Sequence, residues 1–350
     1  MTIVRVVSCS LLAASVLAAQ NPPTGGGGGG GGGRGGGNAN LTEAQRDSIR
    51  ADQARSRGGS SCARNAYNCI DARNPLPTAN TVWIEEMTWM DVRDALAAGK
   101  TTAIIATGGI EPNGPWLVTG KHNYVLHANC DAIARKLGIA LCAPIVKFTP
   151  EGPIEPQGGH MMSAGTISMR EETYRNLLFD IAHSLKMHGF KQIFYIGDSG
   201  GNQAGQRCVA DSLNTMWKKD GVLVAHIQDY YTYGVVGDHM EKNKGLKEGA
   251  SDNLHDDPVI TLNMWMDDPK SVRFDERKKA GKASINGVDI SNERRNRELG
   301  QEIINFRAQY TIDAMNKAVA NGGTVPPPAS TNPNARPFSC AIGGGGPAVP

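Results

Sequence analysis

Residues 101–131 read TTAIIATGGIEPNGPWLVTGKHNYVLHANCD. The apolar run Thr102 to Thr107 ends in Gly108-Gly109, and a carboxylate, Glu111, follows at once. Pro112, Asn113, Gly114 and Pro115 are turn residues, and His122 opens a segment with helical spacing. A buried strand that delivers an acid into a loop ahead of a helix is where open α/β folds carry their chemistry. A second strand end, Gly197-Asp198-Ser199-Gly200-Gly201-Asn202, is read as facing it.

Outward from that stretch, strands and helices alternate. Thr81–Lys100 reads as a short strand and then a helix, with Thr88 and Asp91 spaced as a capping box. A helix from about His122 to Leu137 stops at Gly138, and Ile139–Val146 is the next strand. Thr149–Ala164 is a long polar loop too rich in Pro and Gly for an element. Ser168 to Glu171 reads as a capping box opening a helix through Leu185. Gln192–Ile196 is a strand, Gln203–Trp217 a helix and Val222–Ile227 a strand. The expected fold is α/β, a three-layer α/β/α sandwich with a mostly parallel central sheet. Residues 228–295 break the rhythm and read as loop-rich, with one apolar segment near Ile260–Met266; a last helix spans about Glu298–Ala320.

The ends read differently. Residues 1–19 form a secretory signal, with Arg5, an apolar run and a small-residue cleavage site before Gln20. Residues 20–78 are a Gly-rich flexible segment with a short helix at Leu41–Arg55 capped by Thr42. Residues 79–324 are the folded domain, and 325–350 a disordered Pro/Gly tail. The expected location is the periplasm or the exterior, with no membrane contact after cleavage. Export permits disulfides. Cys62 and Cys69 can close a small ring, whereas Cys130, Cys142 and Cys208 sit in apolar segments and read as buried thiols. The formal net charge is +2, which gives no electrostatic case for nucleic acid.

The motifs resemble those of the creatininase (creatinine amidohydrolase) family. EEMTWMDVRDAL resembles its opening helix and GGIEPNGPWLVTGKH its metal-binding loop. GGHMMSAGTISM, HGFKQIFYIGDSGGN and LHDDPVITLNMW follow in the family's order and spacing. The resemblance implies two divalent ions held by Glu, His and Asp from the first loop and by His plus an acid from the second strand end. Glu111 keeps the first of these positions. Asn113 stands at the histidine, His122 at the aspartate, Ser199 at the second loop's histidine and Gly201 at the acid. It also implies a homo-oligomer, a hexamer in the family.

Glu111, His122 and Asp198 together suit one zinc- or manganese-like ion with an open position for water. His255 keeps the family's histidine, and it or His160, in the polar loop, is a candidate further ligand or proton carrier. Ser199 sits in a literal Gly-x-Ser-x-Gly pattern, which also permits a serine nucleophile. The expected function is a metal-dependent amidohydrolase cleaving a C–N bond of a small molecule. The alternatives are a silent small-molecule-binding protein on the same fold and a serine hydrolase using Ser199.

Overall fold

The computed structural model describes residues 41–58, 60–325 and Cys340. The expected signal segment, the glycine tract before residue 41 and the tail beyond 325 other than Cys340 lie outside the described residues. Two compact units divide at Arg73 and Asn74. In the first, helix α1 (Glu43–Arg55) is opened by a capping box between Thr42 and Gln45, and Cys62 and Cys69 form a disulfide.

The second unit is built on four parallel strands. Helix α2 (Trp89–Ala97) starts in the capping box of Thr88 and Asp91. Strand β1 (Thr102–Thr107) leads to helix α3 (Lys121–Leu137), which stops at Gly138 in the left-handed region. Strand β2 (Ala140–Cys142), helix α4 (Glu171–Met187), strand β3 (Gln192–Gly197), helix α5 (Gln203–Trp217) and strand β4 (Leu223–His226) follow. The sheet order is β2-β1-β3-β4, and every pairing is parallel. β1 is buried along its whole length, as expected of a strand covered on both faces. Ile104, Ala106, Phe194 and Ile196 pack against α3 and the long C-terminal helix, while Ala103, Ile105, Ile193 and Tyr195 pack against α4 and α5. The three-layer parallel architecture read from the sequence is the one observed.

Three local readings change. Residues 81–87 form no strand; Trp83 makes a single parallel bridge to Cys142 before a short turn of helix. Ser168 does not cap α4, whose N-cap is Arg170 with no side-chain hydrogen bond. Its hydroxyl accepts from the Glu151 N–H (2.9 Å) and donates to the Gly152 carbonyl (2.8 Å), so it ties the preceding loop instead. Cys130 and Cys208 are not free thiols: Cys130 pairs with Cys142 and Cys208 with Cys340. The first joins α3 to β2, two apolar segments whose burial made them look inert.

Residues 233–290 are more ordered than their charge suggests. They hold α6 (Tyr233–Lys244), α7 (Pro258–Asp267), α8 (Phe274–Lys279) and a small hairpin of β5 (Ser284–Ile285) and β6 (Val288–Asp289). Helix α7 carries apolar residues on all sides and is enclosed by α3, α6 and α9 (Glu293–Ala320). A third apolar cluster, around Val125, Leu262, Met264, Trp265 and Ile303, joins them.

Candidate active site

The chain visits β2 on one side of β1 and then β3 on the other, so the strand order reverses between β1 and β3. At that switch point loops from the two carboxyl ends diverge and leave a crevice. Glu111 follows β1 and Asp198 follows β3 directly, which is why two acids distant in sequence meet there.

Both strand ends need bare backbone. A Cβ on Gly109, whose φ is +153°, would lie 2.0 Å from Glu151 Oε1, and one on Gly197 would lie 2.1 Å from Gln206 Nε2. Buried amides then fix the carbonyls. Asn202 Nδ2 donates to the Thr107 and Gly108 carbonyls (3.1 Å each), and Gln203 Nε2 donates to those of Gly197 (2.9 Å) and Ser199 (2.8 Å). Asn113 closes the loop after β1 by donating to the Glu111 and Val118 carbonyls (3.1 and 3.2 Å).

Glu111, 2% exposed, is the centre of the constellation. Lys121 Nζ and His122 Nε2 both lie 2.9 Å from its Oε1, the latter without hydrogen-bond alignment, and His160 Nδ1 lies 2.9 Å from its Oε2. His255 Nδ1 stands 3.7 Å from Oε1. Burial pushes the Glu111 carboxyl up, but His122 and Lys121 outweigh it and hold it well below the usual carboxylate range. His122 Nδ1 meets Asp198 Oδ2 at 2.9 Å. Burial and Lys121 depress His122, yet Asp198 and Glu111 prevail and raise it, which favours the charged ring between the two carboxylates.

Asp198 is fully buried and its oxygens are fully engaged. Tyr233 Oη donates to them at 2.7 and 2.8 Å, and Arg307 Nη2 donates to Oδ1 at 2.9 Å. The Arg307 guanidinium lies over the rings of Tyr230 and Tyr233, 4.3 and 4.6 Å from their centroids. Burial raises Asp198, but Arg307 and His122 win and lower it.

Glu151 completes the group. Its Oε2 lies 3.2 Å from His160 Nδ1, and its Oε1 accepts from Thr149 (2.9 Å). Burial and the neighbouring Glu111 charge raise its pKa. Glu111, Glu151 and His160 each offer one ligand atom to a common point, the one such cluster among the described residues. Tetrahedral zinc with bonds of about 2.0–2.1 Å places its ligand atoms about 3.3 Å apart, close to the 2.9 and 3.2 Å separations around His160 Nδ1. Two carboxylate oxygens and an imidazole suit zinc or manganese.

The groups open onto a cavity of about 500 Å³ whose walls include Ser199, Gly201, Tyr231 and Asp257. All six residues singled out from the sequence line it: Glu111, His122, His160, Asp198, Ser199 and His255. The Ser199 hydroxyl makes no hydrogen bond to an imidazole among the described residues. Sequence reading missed Glu151, Lys121, Tyr233 and Arg307. Arg307 carried a signal, being a lone charge on the inward stripe Ile303, Ile304, Ala308, Thr311, Ile312 of α9. Lys121 carried another, a cation in the first turn of a helix, where the dipole disfavours it.

Residues 85–324 match a family model described as creatininase, creatinine amidohydrolase. No curated protein sequence matches the chain. Among solved structures it is similar to a creatinine amidohydrolase (creatininase), 18% identical with a TM-score of 0.52, and to a manganese creatininase, 20% identical with a TM-score of 0.52. A mutant creatininase complexed with creatine is 18% identical with a TM-score of 0.51. Each comparison covers 68% of this chain and 98% of the other. At these identities the likeness is one of fold.

Proposed function

The chain belongs to the creatininase family, and on that premise we propose that it is an exported amidohydrolase with a single metal ion, cleaving a C–N bond of a small amide. The observation that carries the reading is the convergence of Glu111, Glu151 and His160 on one point at the cavity floor. An ion bound there would lower the pKa of a water and polarise the substrate carbonyl.

The protein's own groups do the rest. Lys121 and the His122 imidazolium hold Glu111 ionised, with Oε2 turned to His160 and Glu151. Asp198, fixed by Tyr233 and Arg307, fixes His122 in turn through Nδ1. In this reading His122 and Asp198 support the ligands, in the way metal sites use outer carboxylate–histidine pairs. His255 stands at the mouth, half exposed, and burial and Lys121 depress its pKa, so its free ring nitrogen can take a proton near neutral pH and return it to the leaving nitrogen. Three disulfides support an oxidising compartment and thus export. The family also supports a homo-oligomer; exposed Phe148, Ile154, Met162 and Ile167, close in sequence, offer it apolar surface.

Elemental analysis of the purified chain tests the reading. About one zinc or manganese ion per chain is expected, lost in Glu111→Ala and Glu151→Ala and kept in Ser199→Ala. A second reading, a metal-free binding protein, is favoured by one observation: Lys121 and Arg307 already neutralise Glu111 and Asp198. An ion-free chain under every loading condition would establish that reading and overturn the first.

A further inference from the structure

One wall of the cavity has no task in the reaction outlined above. Ser199 is only 4% exposed, yet its hydroxyl faces the cavity and has no hydrogen-bond partner among the described residues. Its carbonyl is turned away and taken by Gln203. Gly201 packs onto the loop before Glu151, where a Cβ would lie 2.6 Å from the Pro150 carbonyl oxygen, so its backbone stays bare. Its N–H has no backbone acceptor outside the helical run that continues into α5. Tyr231 Oη stands beside Gly200, where a Cβ would meet it at 3.4 Å, and makes no side-chain hydrogen bond among the described residues. Asp198, next in sequence, contributes no bare charge, because Arg307, Tyr233 and His122 cover it.

The wall therefore presents two hydroxyls and a bare backbone N–H, with no charged acceptor of its own, at the positive end of a 15-residue helix. Glu111 and Glu151 belong to the ligand-bearing side, and the remaining acid of the cavity, Asp257, accepts from Asn286 Nδ2 (2.8 Å). We propose that Ser199, Gly201 and Tyr231 bind a carboxylate of the substrate, so the substrate class is a small amide that carries a free acid: an N-acyl amino acid or the carboxylic acid of a cyclic amide. The assignment deepens the amidohydrolase reading and rests on it only for the reacting end.

Calorimetric titration of the metal-loaded full chain with N-acetylglycine and with its uncharged amide tests it. The acid is expected to bind about tenfold or more tighter than the amide, the worth of one or two hydrogen bonds to a charged group. Ser199→Ala combined with Tyr231→Phe is expected to weaken the acid about tenfold and leave the amide unchanged, while Glu111→Gln keeps the preference for the acid. Equal affinity for the two probes, no saturable heat from either, or acid binding lost in Glu111→Gln but kept in the double variant would overturn it; the last outcome puts the carboxylate on the ion. The probe pair decides on the unaltered chain if a variant fails to fold. A chain that holds no ion yet prefers the acid loses the reaction and keeps this assignment, and a metal-loaded chain indifferent to the charge does the reverse.

Discussion

Arg307 shows how much of the site depends on a residue that touches neither cavity nor substrate. Its guanidinium is 2% exposed, lies over two tyrosine rings and neutralises a fully buried carboxylate. A buried pair of this kind adds little net stability over an apolar pair, but removing one partner strands the other charge. Arg307→Leu is expected to cost about 3–5 kcal/mol in urea unfolding. Adding Asp198→Asn should recover part of that loss, because the stranded charge is gone. A loss equal to the sum of the two single changes would mean that the guanidinium works through ring packing alone. Lysine is no substitute, since only the planar fork reaches Asp198 and the Tyr230 carbonyl from one nitrogen while stacking.

At the scale of elements, the segment from Thr149 to Ser168 lies between strand β2 and helix α4 and carries two of the three residues of the candidate metal cluster. It is held by local bonds: Ser168 to the Glu151 N–H, Thr149 to the Glu151 carboxylate, and Thr166 to the His160 carbonyl (2.7 Å). Ser168→Ala is expected to cost about 1–2 kcal/mol and to weaken the ion about 10–100-fold, as loss of a supporting partner does, read by competition with a chelator. Unchanged affinity would show that Glu151 is placed by Thr149 alone. The same segment marks where sequence reading ends. The strands and helices around it were legible because burial leaves a period of two or 3.6, and Glu111 because it follows an apolar run. Glu151 was not legible: nothing local separates an acid tied down by a serine 17 residues away from one in a solvated loop. Ser168 was misread for the same reason, since a hydroxyl three residues before an acid fits a cap, and only the fold shows the loop that it holds instead. Asp198 was located by its strand end, but its pairing with Arg307, 109 residues further on, was not legible.

For the whole molecule, acid is the stress to which the buried groups answer most directly. His226 ends β4, bonds to Gln203 (2.9 Å) and is pushed down to about 3 by burial, with Arg207 adding to the effect. The unfolded chain takes up that proton below about pH 6.5, whereas the folded one resists until about 3. This contribution is therefore present above about pH 6.5 and is lost as pH falls from there towards about 3, up to roughly 5 kcal/mol in all. His226→Gln is expected to flatten the fall in stability across that window, measured by denaturant unfolding at stepped pH; an unchanged slope would assign the acid response elsewhere. Asp198 acts later: its contribution is present above the ordinary pKa of an aspartate, about 3.9, and is lost as pH falls from there towards its lowered value. The bond between Cys208 and Cys340, 132 residues apart, closes most of α5, strand β4 and the whole α6 to α9 region into one covalent ring. A single peptide cut anywhere inside that ring leaves the chain in one piece, so an exported protein exposed to proteases would keep its mass until a reductant opened the loop.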